Sequence, residues 1–68
     1  MYDRYELLRE RESKNKTQAD MASIIGISMK QYSQKELGYS EFKRNEIEAI
    51  SKELGLNAEK IEKIFFAE

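Results

Sequence analysis

The amino-acid sequence predicts an all-α protein of five short helices, and three observations carry that expectation. Apolar residues recur at three- and four-residue spacing along the chain, which is the period of a helix face rather than of a strand. Gly26, Gly38 and Gly55 each stand directly behind such a run, where a helix end favours a residue that tolerates left-handed backbone. The chain has no proline, no low-complexity tract and no internal repeat, and its 68 residues give room for one core only. Residues 1–68 are therefore read as one compact domain.

The first helix is expected near 3–12, with Tyr5 and Leu8 inward, ending around 13–16 where Asn15 can adopt left-handed backbone. Thr17 with Asp20 resembles a capping box, and it opens a second helix over about 18–25 that carries Met21, Ala22, Ile24 and Ile25. Gly26 then permits a sharp turn. Ser28 with Gln31 is a capping box of the usual type and opens a third helix that runs to Leu37 and stops at Gly38. Residues 39–42 form a loop. Ile47, Ile50 and Leu54 share one face of a fourth helix near 43–54, closed by Gly55. Asn57 is placed to cap a fifth helix, with Leu56 stapled against Ile61 and with Ile64 and Phe65 continuing that face.

The expected core is Tyr5, Leu8, Met21, Ile24, Ile25, Tyr32, Phe42, Ile47, Ile50, Leu54 and Ile61, while Glu59, Glu62 and Glu68 form a solvated face. Adjacent Phe65 and Phe66 cannot both face one core from a helix. That leaves a ring over, and Ile64, Phe65 and Phe66 are the expected contact for a second copy of the chain.

Composition removes several function classes. Without Cys or His the chain lacks the usual thiolate and imidazole nucleophiles, bases and metal ligands, so no catalytic residue, metal site or cofactor is expected. Its carboxylates are scattered, with no nucleophile–base pairing and no sign of a small-molecule site, and an enzyme is not expected. No apolar run approaches the roughly 20 residues of a membrane span, and a cytoplasmic protein is the expectation. The 12 Lys+Arg and 13 Asp+Glu nearly cancel, but unevenly along the chain. Residues 9–16 and 28–45 are net positive, whereas the stretch from 46 onward holds the negative excess.

Only Gly26 and Ile27 separate the second and third helices. Ala22 is small where the helices cross, and Ile27 and Tyr32 point to the core. Met29, Lys30, Ser33 and Gln34 are left on the outward face of the third helix, in a geometry that suits the major groove of DNA.

At these residues the chain resembles a known family. Thr17-Gln18-Ala19-Asp20-Met21-Ala22, then Gly26-Ile27-Ser28, then Tyr32-Ser33-Gln34-Lys35-Glu36-Leu37-Gly38, together with Leu54-Gly55-Leu56, look like the phage repressor and Cro helix-turn-helix family, also termed the xenobiotic response element (XRE) family. The resemblance covers nearly the whole chain and implies a lambda-repressor-like fold. It implies base reading by Met29, Lys30 and Gln34, and phosphate contacts from Thr17, Gln18, Ser28, Gln31, Ser33, Lys43 and Arg44. Arg11 and Glu36 fall on the positions of a structural ion pair between the first helix and the end of the third.

The implied partner is a double-stranded, near-palindromic DNA operator, bound by a homodimer that can assemble on the DNA itself. A protein-interaction module with vestigial DNA binding is the alternative that the acidic balance leaves open. The chain departs from the family pattern at Lys16 and Lys35, which replace apolar residues, and in a short loop without proline after Gly38. Both lysines are expected to bury their stems and keep the ammonium in water.

Overall fold

A computed structural model describes residues 2–66, in the order α1 (Arg4–Ser13), α2 (Gln18–Ile25), α3 (Met29–Leu37), α4 (Arg44–Leu54) and α5 (Ala58–Ile61), the last passing directly into a π-helical turn at Glu62–Phe66. The expectation for Glu68 lies outside the described residues. The all-helical architecture follows the sequence expectation, and no strand occurs among the described residues.

Each helix begins where a side chain captures an otherwise unpaired N–H group. The Asp3 carboxylate accepts from the Glu6 N–H at 3.1 Å and Asn57 Oδ1 from the Lys60 N–H at 2.8 Å. Both capping boxes are complete. The Asp20 N–H donates to Thr17 Oγ1 at 3.0 Å and the Thr17 N–H to Asp20 Oδ2 at 2.9 Å. In the same way the Gln31 N–H donates to Ser28 Oγ at 3.1 Å and the Ser28 N–H to Gln31 Oε1 at 3.0 Å. Gly26, at φ 74°, closes α2 by donating to the Ser23 carbonyl, while the next N–H, from Ile27, donates to the Ala22 carbonyl at 3.0 Å. These two hydrogen bonds make the turn between α2 and α3 tight. Asn15 takes the left-handed backbone expected of it, at φ 58°.

The core consists of Leu7, Met21, Ala22, Tyr32, Ile50, Leu54 and Ile64, with Tyr2, Ile25, Ile27, Phe42, Leu56 and Phe65 packed against it. Five expected core positions are corrected. Tyr5 is 58% exposed and Ile24 38%, while Leu8, Ile47 and Ile61 are half-buried. At 3.6 residues per turn Tyr5 lies about 160° round α1 from Leu7, and Ile24 about 100° round α2 from the centre of the Met21–Ala22–Ile25 face. The inward stripe of α1 is Glu6, Leu7 and Arg11, two of them charged, so an apolar period could not reveal it.

Both ends of the described chain meet. The Asp3 N–H donates to the Ile64 carbonyl at 2.7 Å, and the Tyr2 ring lies against Phe42 and Phe65, with centroids 5.7 and 6.1 Å away. Ile64 is fully buried in this joint, which corrects its expected place on a surface for a second copy; Phe65 is half-buried and Phe66 is 59% exposed.

Charge ties the same ends together. The Lys60 ammonium reaches Glu6 at 2.7 Å and Glu10 at 3.0 Å, Lys63 stands 3.5 Å from Glu6, and Arg9 also pairs with Glu6. The hydrogen bonds from Lys60 and Arg9 hold the Glu6 carboxyl at about 2, below its ordinary 4.5. A carboxyl depressed by folding contributes stability that is present above its ordinary value and is lost as pH falls through its folded one. Glu6→Gln is therefore expected to lower the melting temperature at neutral pH and to flatten its decline between about pH 4.5 and 2. Asp20 and Glu46, also depressed, leave part of that decline in place. Melting curves across this range check it, and an acid limb as steep as that of the unaltered chain would contradict it.

Candidate nucleic-acid interface

The α2–turn–α3 unit brings its two helix starts together, with Thr17 and Gln18 of one and Met29 of the other lining one surface hollow. Tyr32 is fully buried, its hydroxyl donating to Glu36 Oε2 at 2.7 Å, and Glu36 is itself buried. These two residues turn one face of α3 inward. Met29, Lys30, Gln31 and Gln34 are consequently exposed, and Ser33 is half-buried at the edge.

Glu36 is the hub that fixes this orientation. Arg11 donates to it twice, Nε to Oε2 at 2.9 Å and an Nη to Oε1 at 3.1 Å, and sends its other Nη to the Lys16 carbonyl at 2.8 Å. Such a bidentate pair sets angle as well as distance. Burial pushes the Arg11 guanidinium down, but the Glu36 carboxylate outweighs it and leaves the group above its ordinary value. Burial, with the bond to Glu36 second, pushes the Tyr32 phenol up, so it remains a donor. The sequence-expected ion pair is thus present, and it is buried. Two partners were not legible: the Tyr2 hydroxyl, which donates to the Glu36 backbone carbonyl at 2.9 Å, and Gln18, whose Nε2 donates to Glu36 Oε1 at 3.1 Å.

The remaining expected phosphate-contact residues stand as follows. Thr17 and Ser28 are exposed N-caps whose hydroxyls accept from Asp20 and Gln31. Gln31 uses its side-chain oxygen in the cap, which leaves its amide N–H groups as outward donors. Lys43 and Arg44 are exposed at the start of α4, a helix start capped by Glu46 through the Lys43 N–H at 2.8 Å. A groove of about 750 Å³ runs from Arg44 along Ile47, Glu48, Ser51, Ile61 and Phe66.

Lys16, its side chain 34% exposed, fits the expectation of a wet ammonium, and Lys35 differs from it. Lys16 Nζ pairs with Glu53 at 3.1 Å, and the Lys35 ammonium is not in water: it reaches Glu46 at 2.9 Å and the Glu41 carbonyl at 3.0 Å, with 12% of the side chain exposed. Partners eleven residues apart across a loop leave no local spacing by which to find them.

The ion pairs sort the cations. Arg9, Arg11, Lys14, Lys16, Lys35, Lys60 and Lys63 all pair with carboxylates of the chain. Among the described residues Arg4, Lys30, Lys43, Arg44 and Lys52 form no such pair: Arg4 opens α1 and donates to the Tyr5 hydroxyl, Lys52 lies in the last turn of α4, and Lys30, Lys43 and Arg44 belong to the starts of α3 and α4. Although the sequence is nearly neutral, its internal pairing leaves Lys30 on the exposed face of α3, and Lys43 and Arg44 at the exposed start of α4, without a carboxylate partner. Among the described residues no cluster of side chains suits a metal ion, and no helix is long and apolar enough to cross a membrane.

A family model described as helix-turn-helix matches residues 7–61, a span that contains α2, the turn, α3 and α4 whole. No curated protein and no solved structure matches the chain.

Proposed function

The chain belongs to the XRE-type helix-turn-helix family of DNA-binding regulators, and from that premise we propose that it binds a near-palindromic DNA operator as a homodimer with α3 in the major groove. The observation that carries this reading is an exposed and internally braced α3 that bears Lys30, with Lys43 and Arg44 exposed at the next helix start, three cations that no carboxylate of the chain takes up. Met29, Lys30 and Gln34 read base edges: Gln34 pairs with adenine, Lys30 donates to guanine and Met29 packs on a thymine methyl. Thr17, Gln18, Ser28, Gln31, Ser33, Lys43 and Arg44 hold the backbone, helped by the N–H groups of two helix starts. Arg11 and Glu36 keep α3 at its angle and touch no DNA.

One recognition helix covers too few base pairs to select a site in a genome, so two copies are required. Related by a dyad, they set their α3 helices about 34 Å apart in successive major grooves. A body with extents of 27 × 23 × 20 Å can span that distance while its neighbour stays in contact. The contact is supplied by exposed Phe66 and the groove beside it, which begins at Arg44 and so adjoins the DNA-facing start of α4.

Sedimentation with a palindromic duplex tests the assembly: two chains per duplex are expected, and Phe66→Ala is expected to weaken the second addition. One chain per duplex at saturation would rule out the dimer. For the backbone contacts, Lys43→Ala or Arg44→Ala is expected to weaken all sequences alike and to lower the dependence of log affinity on log salt by about one unit. A change confined to one base position would instead make that residue a base reader.

A further inference from the structure

The principal helix contacts of α3 are with α2 and α1, and that of α4 is with α2. Both helices thus pack on α2 and touch each other little, so the direct link between the outward face of α3 and the start of α4 runs across the loop 39–43. Lys35, in the last turn of α3, crosses that gap. Its ammonium reaches the Glu41 carbonyl at 3.0 Å and Glu46 Oε1 at 2.9 Å, and the same Glu46 oxygen accepts the Lys43 N–H at 2.8 Å. One carboxylate oxygen thus joins the reading helix to the residue that opens α4. Phe42 anchors the loop between them, its ring 5.9 Å from Tyr32 and 5.7 Å from Tyr2.

The pair is nearly enclosed, with 12% of the Lys35 side chain and 5% of the Glu46 side chain exposed. Burial pushes the Glu46 carboxyl up, but the Lys43 N–H and the Lys35 ammonium outweigh it and keep the group below its ordinary value, hence charged. Taking two charges out of water offsets most of their attraction, and well-packed apolar residues would serve stability as well. What apolar packing would not supply is direction: the ammonium and the carboxylate are held by three hydrogen bonds, one of them shared.

We propose that Lys35 and Glu46 are positioning residues that set the backbone-gripping start of α4, with Lys43 and Arg44, at a fixed offset from the base-reading face of α3. This rests on the DNA-binding reading above. The tie begins at the residue after Gln34 and ends beside Lys43 and Arg44, so it links the part that reads sequence to the part that grips phosphates.

The double variant Lys35→Met with Glu46→Gln tests it. It removes one positive and one negative charge, so the net charge that attracts DNA at long range is unchanged. The new amide oxygen still accepts the Lys43 N–H and keeps α4 capped. The expected result is a melting temperature close to that of the unaltered chain, the same preferred sequence and a salt slope lower by about one to two units, as on loss of Lys43 or Arg44 themselves. Amide exchange over 41–44 is expected to quicken, and Lys35→Arg, which keeps both donors, is expected to preserve the slope. An unchanged slope in the double variant overturns the proposal, and so does a collapse of its melting temperature, which would make the pair a source of stability. If the unaltered chain itself selects no sequence, the DNA-binding reading falls and this one with it; selection with an unchanged variant slope overturns this one alone.

Discussion

Glu36→Ala is expected to leave the chain largely unfolded near body temperature. The substitution strands a buried guanidinium: Arg11 loses both bonds to the carboxylate and keeps only the Lys16 carbonyl, while the fully buried Tyr32 hydroxyl loses its acceptor. Removing one partner of a buried ion pair costs about 3–5 kcal/mol. A domain of this size has about 3–10 kcal/mol in all, on the order of 0.05–0.15 per residue. The midpoint is then expected to fall by roughly 12–40 °C, given a shift of about 4–8 °C per kcal/mol in small domains. Glu36→Gln retains an acceptor and is expected to lose less. Thermal melts followed by circular dichroism decide it, and a midpoint within a few degrees of the unaltered chain would show that the hub does not hold α3 in place.

Gln34→Ala is the complementary case, in which the fold is kept and the reading is lost. Gln34 is exposed on α3 with its side chain outside the core, so truncation is expected to change stability by less than about 0.5 kcal/mol. A good side-chain contact to a base edge discriminates by about 1–3 kcal/mol. A two-fold dimer makes it twice, so loss on a palindromic site is expected to reach about 2–6 kcal/mol, or roughly 30-fold to 20,000-fold in affinity. Preference is expected to relax at the one base position in each half-site that Gln34 faces. Titration of the selected site and of single-base variants checks this, and an unchanged ranking of sites would remove Gln34 from the reading face.

Much of the fold was legible because local chemistry announces helix ends. Thr17, Ser28 and Asn57 with their capping partners, and Gly26, Gly38 and Gly55 behind their helices, mark boundaries that the structure reproduces within a residue or so. What could not be read is where the inward face depends on charge. Leu7 is the apolar anchor of α1, but its inward neighbours are Glu6 and Arg11, and the apolar period pointed instead to Tyr5 and Leu8. The Arg11–Glu36 pair followed from the family resemblance, whereas the Lys35–Glu46 pair departs from the family pattern and links residues that no helical period connects. The π-helical turn at Glu62–Phe66 had no sequence signal either, because its winding accompanies a joint with Tyr2 and Asp3 at the other end of the chain.

That α3 of two paired copies reads DNA is tested most directly by selecting bound sites from a pool of random duplexes. The account predicts two matching half-sites related by a dyad, with centres about 10–11 base pairs apart, one helical turn. A pool that shows no enrichment, or one that returns a single half-site without symmetry, would contradict it.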